Sequence, residues 1–318
     1  MGMKDKKKKI GKVGVLMGGP SSEREISLKS GKAVYDALSG LGQDVVAIDI
    51  KTDDPQENVR LLGSQGIDCA FLALHGRFGE DGTIQVILEN MKIPYTGSGV
   101  LASKLAMDKI SSREIFKKGN LLVPRSKIVN KTSHKSGAGL SVDLGERLVV
   151  KPATQGSSIG LSIIDKNESL DAALELAFKF DDRVIIEEYI KGREMTVGIL
   201  NDSALPVIEI IPKHAFFDFE AKYKAGLTEY VVPAKIDKKA AKKIQASAMS
   251  AHKLLGCFGC SRVDLILDEK GLVFVLEVNT IPGMTSTSLL PKAAGQINIK
   301  FEDLCMKLIK LAYEKAKK

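Results

Sequence analysis

The 318-residue sequence predicts an α/β domain with a parallel sheet, followed by a mixed α+β region. Three patterns predict it. In residues 10–100, short apolar runs alternate with stretches of helical periodicity, which implies a parallel sheet with ligands beyond its C-terminal strand ends. From about Ser103 the alternation gives way to strands joined by turn-rich segments. Near the end, two period-2 runs flank a turn and read as an antiparallel hairpin.

Taken in order, Val13–Met17 is a short buried strand ending in Gly18-Gly19-Pro20. A helix follows, with Ile26, Ala33, Val34, Ala37, Leu38 and Leu41 at helical spacing and Ser22 with Glu25 as its expected capping box. Asp44–Asp49 and Cys69–Leu74 are further strands. Two loops at strand ends carry polar chemistry: Gly18–Glu23 and His75–Gly82. Glu23 either serves the helix dipole from the first turn or waits for a substrate ammonium group. His75 reads equally as a hydrogen-bonded histidine or a substrate contact. Neither loop is GxGxxG, and no GxxxxGK[ST] occurs, so the dinucleotide-fold and P-loop readings lose their support.

In the next region, Arg147–Pro152 is a strand with Lys151 near its end, leading into the Gly/Ser loop Ala153–Gly160. Amide and hydroxyl donors beside a lysine can fold over phosphates, although such loops are also plain hairpin turns. Val184–Ile190 is a strand whose apolar run reaches Glu187 and Glu188, with Glu194 following Gly192. These carboxylates suit an adenine amine and ribose hydroxyls, or form a strand-end charge pair.

The hairpin is the sharpest signal. Val263, Leu265 and Leu267 alternate with Arg262, Asp264 and Ile266, and Phe274, Leu276 and Val278 alternate with Val275, Glu277 and Asn279 across the turn Asp268–Gly271. If the sets Val263/Leu265/Leu267 and Phe274/Leu276/Val278 share the core, Arg262, Asp264, Glu277 and Asn279 share the opposite face. Two carboxylates and an amide oxygen there form a hard-cation site suited to Mg2+ or Mn2+, with an arginine facing developing negative charge. The pattern points to chemistry on ATP. The alternative is a solvated face with Arg262 paired to Glu277 across the strands. The stretch Asn279–Leu289 adds amide and hydroxyl donors for a substrate carboxylate or oxyanion.

Composition excludes several classes. No apolar run is long enough to span a membrane, and residues 1–5 lack the apolar core of a signal peptide, so a cytoplasmic protein is expected. The net charge of +8 is concentrated at the ends: residues 1–12 carry +5 and residues 301–318 carry +2, leaving +1 for the body. No basic footprint marks a folded face, Trp is absent and aromatics are 5%, so a nucleic-acid partner is not expected. Cys257 and Cys260 have CxxC spacing but no second ligand pair, so they read as buried apolar residues at a helix-to-strand junction.

In order, the motifs Gly18–Ser27, Ala73–Gly76 with Gly79–Gly82, Pro94–Gly99, Met107–Lys109, Lys151-Pro152, Gly156–Ser158, Glu220–Tyr223, Glu277–Thr280 and Pro282–Thr285 resemble the D-alanine–D-alanine ligases of the ATP-grasp superfamily over roughly residues 11–312. The resemblance implies a parallel-sheet α/β domain over 11–102 after a basic tail, 1–10, and then a two-part ATP-grasp fold, 103–190 and 191–318. It implies ATP-dependent joining of two D-alanines through an acyl phosphate, for peptidoglycan precursor synthesis, by a homodimer. Residue by residue, it implies that Asp264, Glu277 and Asn279 hold two Mg2+ (or Mn2+) ions, and that Lys109, Lys151, Ser158 and Lys222 contact phosphates. Glu187, Glu188, Tyr189, Ile190 and Glu194 would surround the adenosine. Glu23, in a set with Ser157 and Tyr223 and near His75, would receive the first D-alanine. Arg262 and the Gly283 amide would stabilise the oxyanion, and Ser288 and Leu289 would bind the second carboxylate. Tyr223, on a lid-like segment, resembles the dipeptide-forming members rather than those making D-alanyl-D-lactate. Departures from the family pattern fall at Thr154-Gln155, Thr287 and Phe217–Phe219. Two alternatives stand beside this reading: a sibling ligase with another acceptor, and a nucleotide- or polyanion-binding protein without catalysis.

Overall fold

The computed structural model describes residues 10–134, 142–165, 168–212 and 228–317. The lysine-rich tail and the segment holding Phe217–Phe219, Lys222 and Tyr223 lie outside the described residues.

The first unit is a parallel sheet of β1 (Val13–Gly18), β2 (Val45–Ile50) and β3 (Cys69–Leu72) in the order β2-β1-β3. Helices α1 (Arg24–Gly40) and α2 (Pro55–Gln65) make the crossovers. Both faces are covered, as a parallel sheet requires. Val13, Val15 and Phe71 pack with Val34 and Leu38 of α1, while Leu16, Ile48 and Leu72 pack on the other side against Leu62 of α2. Two expectations for α1 fail. The capping box from Ser22 and Glu25 does not form: Glu23 occupies the cap with no side-chain cap bond, and its amide donates to Ser21 Oγ at 3.2 Å. Leu41 lies past the helix end and is 45% exposed, so the buried stripe is Ser27, Ser30, Gly31, Val34 and Leu38. Small residues on that stripe let the helix approach the sheet; a Cβ on Gly31 would lie 2.3 Å from Met17 Cβ.

Helices α3 (Thr83–Asn90), α4 (Val100–Met107) and α5 (Lys109–Lys118) lead to an antiparallel sheet of β4 (Ser126–Asn130), β5 (Arg147–Pro152), β6 (Ser162–Asp165) and β7 (Arg183–Glu188), ordered β4-β7-β5-β6. One face, with Leu148, Val150, Val184 and Ile186, packs on α6 (Leu170–Ala177). Period 2 therefore turns Val149, Lys151 and Glu187 to the other face.

A six-stranded sheet follows, built from β8 (Gly192–Leu200), β9 (Ser203–Ala204), β10 (Ile208–Pro212), β11 (Thr228–Val231) and, after α7 (Lys238–Leu254), β12 (Cys260–Asp268) and β13 (Val273–Asn279). Its order is β11-β10-β8-β12-β13, with β9 beside β8. Met195, Val197, Val263, Leu265 and Val275 pack against Ile244, Ala248 and Ala251 of α7. The hairpin pairs Arg262 with Asn279 and Asp264 with Glu277, then Leu265 with Val275. Leu276 is thus an extra residue, a β-bulge, and it reverses the phase of the strand. The expectation that Phe274, Leu276 and Val278 share the core is corrected: Val273, Val275 and Val278 are buried, and Leu276 turns to the opposite face beside Glu277.

Short α8 (Leu289–Gly295) and then α9 (Phe301–Lys315) end the described chain. Helix α9 returns to the first unit, where Leu304, Leu308, Ile309 and Ala312 are buried with Val13, Val15 and Phe71 in one cluster. None of the described helices is long and apolar enough to cross a membrane.

Candidate functional site

Two cavities, of about 450 Å3 and 770 Å3, open side by side, and Lys109 and Glu277 line both. The first lies between the faces that the four- and six-stranded sheets turn away from their cores. Val149, Ile163, Ile266 and Leu276 give it apolar walls. Lys151, Ser158, Glu187, Glu188, Tyr189, Ile190 and Glu194 line it as well, so the structure brings together most of the residues expected around a nucleotide.

The carboxylates there are not equivalent. Glu188 shares the phase of Val184 and Ile186, and Arg125 takes its carboxylate through Nε at 2.6 Å and the backbone amide at 2.8 Å. Glu187 is 2% exposed, with one oxygen against the Arg113 guanidinium and the other 3.0 Å from Lys151 Nζ. Burial pulls Arg113 down to about 10, so it stays charged at neutral pH. Lys109 Nζ donates to Gln155 O at 2.6 Å and stands 3.4 Å from Glu277. Thr154 and Gln155, two of the departures from the family pattern, anchor the Gly/Ser loop: Thr154 donates through N and Oγ1 to Asp181 (2.8 and 2.6 Å), and Gln155 Nε2 donates to Phe180 O at 3.1 Å. At the tip, Ser157 and Ser158 take positive φ values of 51° and 59°, an uncommon conformation for residues with a Cβ.

The second cavity joins the first unit to the hairpin. Glu23, 7% exposed, accepts a short hydrogen bond from Ser157. Gly76, with φ of 71°, lies where a Cβ would come within 2.7 Å of the Glu23 carboxylate, so glycine is favoured there. His75 is 5% exposed, with Nε2 3.0 Å from Ser30 Oγ and Nδ1 3.5 Å from Glu80. Both readings of His75 survive, because it is hydrogen-bonded and also lines the cavity. Burial raises Glu80 to about 7, against the bond from His75, and the charge of Glu23 adds to the rise. Ser30 Oγ also accepts from the Met284 amide at 3.3 Å, tying α1 to the loop after β13.

The hairpin face carries Arg262, Asp264, Glu277 and Asn279 together, as expected. Arg262 does not pair with Glu277, however. It makes a two-pronged bond to Asp264 on its own strand, at 2.9 and 2.7 Å. Asp264 Oδ1 also accepts from Thr196 Oγ1 at 2.6 Å. Asn279 Oδ1 accepts from the Ile281 amide at 2.9 Å. In the following loop, Thr285 N and Oγ1 meet Ser288 Oγ at 3.1 and 2.8 Å. Gly283 admits this hydroxyl, which would lie 2.9 Å from a Cβ there. Gly283, Ser288 and Leu289 line the cavity with Arg262 and Asn279.

Arg113, Thr196 and Ser30 were missed in the sequence. The alternation of Met195, Val197 and Ile199 puts Thr196 on the face of Glu194, but only the pairing of β8 with β12 sets it opposite Asp264. Lys222 and Tyr223 lie outside the described residues. Among the described residues, no group of three His, Cys, Asp or Glu side chains gathers to hold a metal, so Cys257 and Cys260 have no zinc partners there. Both are free thiols, Cys260 buried at the start of β12 and Cys257, against expectation, only half-buried before it, with burial raising Cys257 to about 11 and Cys260 to about 12.

The profile of the D-ala D-ala ligase C-terminus matches residues 121–310, and that of the D-ala D-ala ligase N-terminus matches residues 51–98. A D-alanine–D-alanine ligase of Geotalea uraniireducens is 48% identical over 304 residues, 96% of each chain. The crystal structure of the Bacillus anthracis D-alanine–D-alanine ligase complexed with ATP superposes with a TM-score of 0.84 at 32% identity, over 96% of this chain and 99% of that one. The VanG D-Ala:D-Ser ligase of Enterococcus faecalis reaches 0.80 at 33% identity, over 95% and 99%. The two joined cavities therefore sit in a chain that matches these enzymes almost end to end, and it belongs to the D-alanine–D-alanine ligase family.

Proposed function

We propose that this protein joins two D-alanines into D-alanyl-D-alanine, spending ATP and releasing ADP and phosphate. The observation that carries the reading is the meeting of the two cavities at Lys109 and Glu277. ATP in the first cavity directs its γ-phosphate toward the second, where Glu23 receives the ammonium group of one D-alanine. The carboxylate of that D-alanine attacks the γ-phosphate. A carboxylate is a poor electrophile, and the acyl phosphate so formed carries a leaving group. The amine of the second D-alanine, held through its carboxylate at Ser288 and Leu289, then attacks the acyl carbon. Arg262 and the Gly283 amide stabilise the oxyanion, and collapse expels phosphate.

Lys109, Lys151, Ser158 and Lys222 hold the phosphates in this reading. Ile266, Leu276 and Ile190 enclose the base, and Glu187, Glu194 and Tyr189 border the adenosine. By the family resemblance Tyr223, which lies outside the described residues, would complete the set of Glu23 and Ser157 and exclude water that would hydrolyse the acyl phosphate. Asp264, Glu277 and Asn279 offer the hard oxygen donors that two Mg2+ or Mn2+ ions prefer. The cross-strand pairing of Asp264 with Glu277 supports this fit by setting both carboxylates together on the wall of the first cavity, with Arg262 and Lys109 offsetting part of their charge. Bound ions would neutralise charge on the transferring phosphoryl oxygens. A cytoplasmic homodimer serving peptidoglycan precursor synthesis completes the proposal.

A second reading is ligation to another acceptor, D-lactate or D-serine, and the similarity to a D-Ala:D-Ser ligase favours its D-serine form. ADP release with Mg2+ and ATP separates the two, comparing no amino acid, D-alanine, L-alanine, and D-alanine with D-serine or D-lactate, with products identified by mass. A dialanine mass that depends on D-alanine is expected. A predominant mixed dipeptide or depsipeptide favours the second reading, and no turnover under any condition leaves a nucleotide-binding protein without catalysis.

A further inference from the structure

Arg113 has no place in the mechanism above, yet it is 3% exposed and stands between the two sheets that enclose the first cavity. It projects from α5, one turn after Lys109. Its guanidinium meets Glu187 on the four-stranded sheet, and Nη2 donates to Leu276 O, at the bulge of the six-stranded sheet, at 3.3 Å. The far oxygen of Glu187 lies 3.0 Å from Lys151 Nζ. One buried carboxylate is thus shared by two cations.

The charge count decides what this sharing does. If Glu187 had Lys151 as its sole partner, the pair would be neutral and attract a polyphosphate weakly. With Arg113 on its other oxygen, the trio carries one net positive charge. Arg113 is walled off between the sheets, while Lys151 lines the cavity. The surplus charge is therefore presented at Lys151.

We infer that Arg113 is a positioning residue for nucleotide binding: by taking up the charge of Glu187 it leaves the charge of Lys151 available to the ATP phosphates. The inference rests on the reading that Lys151 faces those phosphates. An arginine suits the task because its planar fork reaches Glu187 and the Leu276 carbonyl together.

The test is a double-mutant cycle on ATP affinity, measured by equilibrium binding with Mg2+ and without D-alanine, using the parent, R113M, E187Q and R113M/E187Q. Removing Arg113 is expected to weaken ATP binding tenfold or more while Glu187 is present. In the E187Q background the same change should cost less than threefold, because no carboxylate is left to neutralise Lys151. The KM for D-alanine should stay within twofold in every variant. A purely structural role, in which the uncompensated Glu187 distorts the site, would raise the KM for D-alanine in R113M along with the loss of ATP affinity, and that result, or equal losses of ATP affinity in both backgrounds, overturns the inference. Loss of one member of a buried ion pair is strongly destabilising. Should R113M not fold, comparison of R113M/E187Q with E187Q decides: affinities within threefold support the inference, and a tenfold gap refutes it. K151M separates the underlying reading. Unchanged ATP affinity in K151M removes Lys151 from the phosphates and the inference with it. A loss in K151M without one in R113M defeats the role of Arg113 alone.

Discussion

Substituting Glu80 by glutamine should make the protein more stable, by an amount that depends on pH. Its side chain is 12% exposed. Burial, reinforced by the Glu23 charge, raises its carboxyl from 4.5 to about 7, with the His75 hydrogen bond opposing the rise. Below about pH 4.5 both folded and unfolded chains hold the proton, and the group has no effect on the balance. Between 4.5 and 7 the folded chain keeps a proton that the unfolded chain has released, so rising pH favours unfolding. Above 7 the cost is complete. At 1.36 kcal/mol per pH unit, the shift amounts to about 3 kcal/mol. E80Q carries no titrating group, so its stability relative to the parent should climb by that amount between pH 4.5 and 8. At roughly 2 °C per kcal/mol for a chain of this size, the gap in melting temperature should widen by about 6 °C. Calorimetry of both proteins over this pH range reads the gap directly, with His75 and Ser30 untouched. A gap that stays constant with pH would refute the argument, because burial would then have left Glu80 with an ordinary carboxyl.

Three further outcomes follow from particular contacts. R262M should lower kcat by about 10²–10³ while the KM for ATP moves no more than a few-fold, as steady-state kinetics with each substrate varied will show, since the guanidinium serves the oxyanion rather than the nucleotide. L308A removes a side chain that is 2% exposed where α9 meets the first sheet, and should cost about 2–5 kcal/mol, seen as a lower calorimetric midpoint. Burial raises Cys69, Cys260 and Cys305 to about 12 and Cys257 to about 11, so iodoacetamide at pH 8 should label the native protein far more slowly than the denatured one.

What could be read from the sequence depended on the range of each interaction. Period-2 alternation located β12 and β13 and put Arg262, Asp264, Glu277 and Asn279 on one face, because that pattern is local. The bulge at Leu276 was hidden: one extra residue leaves every neighbour still looking like a strand, and only pairing with β12 reveals it. The serine–glutamate spacing at Ser22 and Glu25 met the pattern for a helix cap, but Ser21 and Glu23 were drawn to His75 O and Ser157 across the fold. Glu187 was visible as a carboxylate at a strand end. Its partner Arg113 was not, since nothing in a basic helix residue announces a contact more than seventy positions away.

The return of α9 to the opening sheet has a consequence for synthesis on the ribosome. Val13, Val15 and Phe71 emerge early, but Leu304 and Leu308, which share their cluster, come only after both later sheets have been made. At about 5–20 residues per second, the delay is on the order of ten seconds or more. For that time the nascent first unit carries an open apolar flank, a ready target for a chaperone. Its completion has to wait for the parts that enclose the nucleotide, so the unit that begins the chain is among the last to be finished.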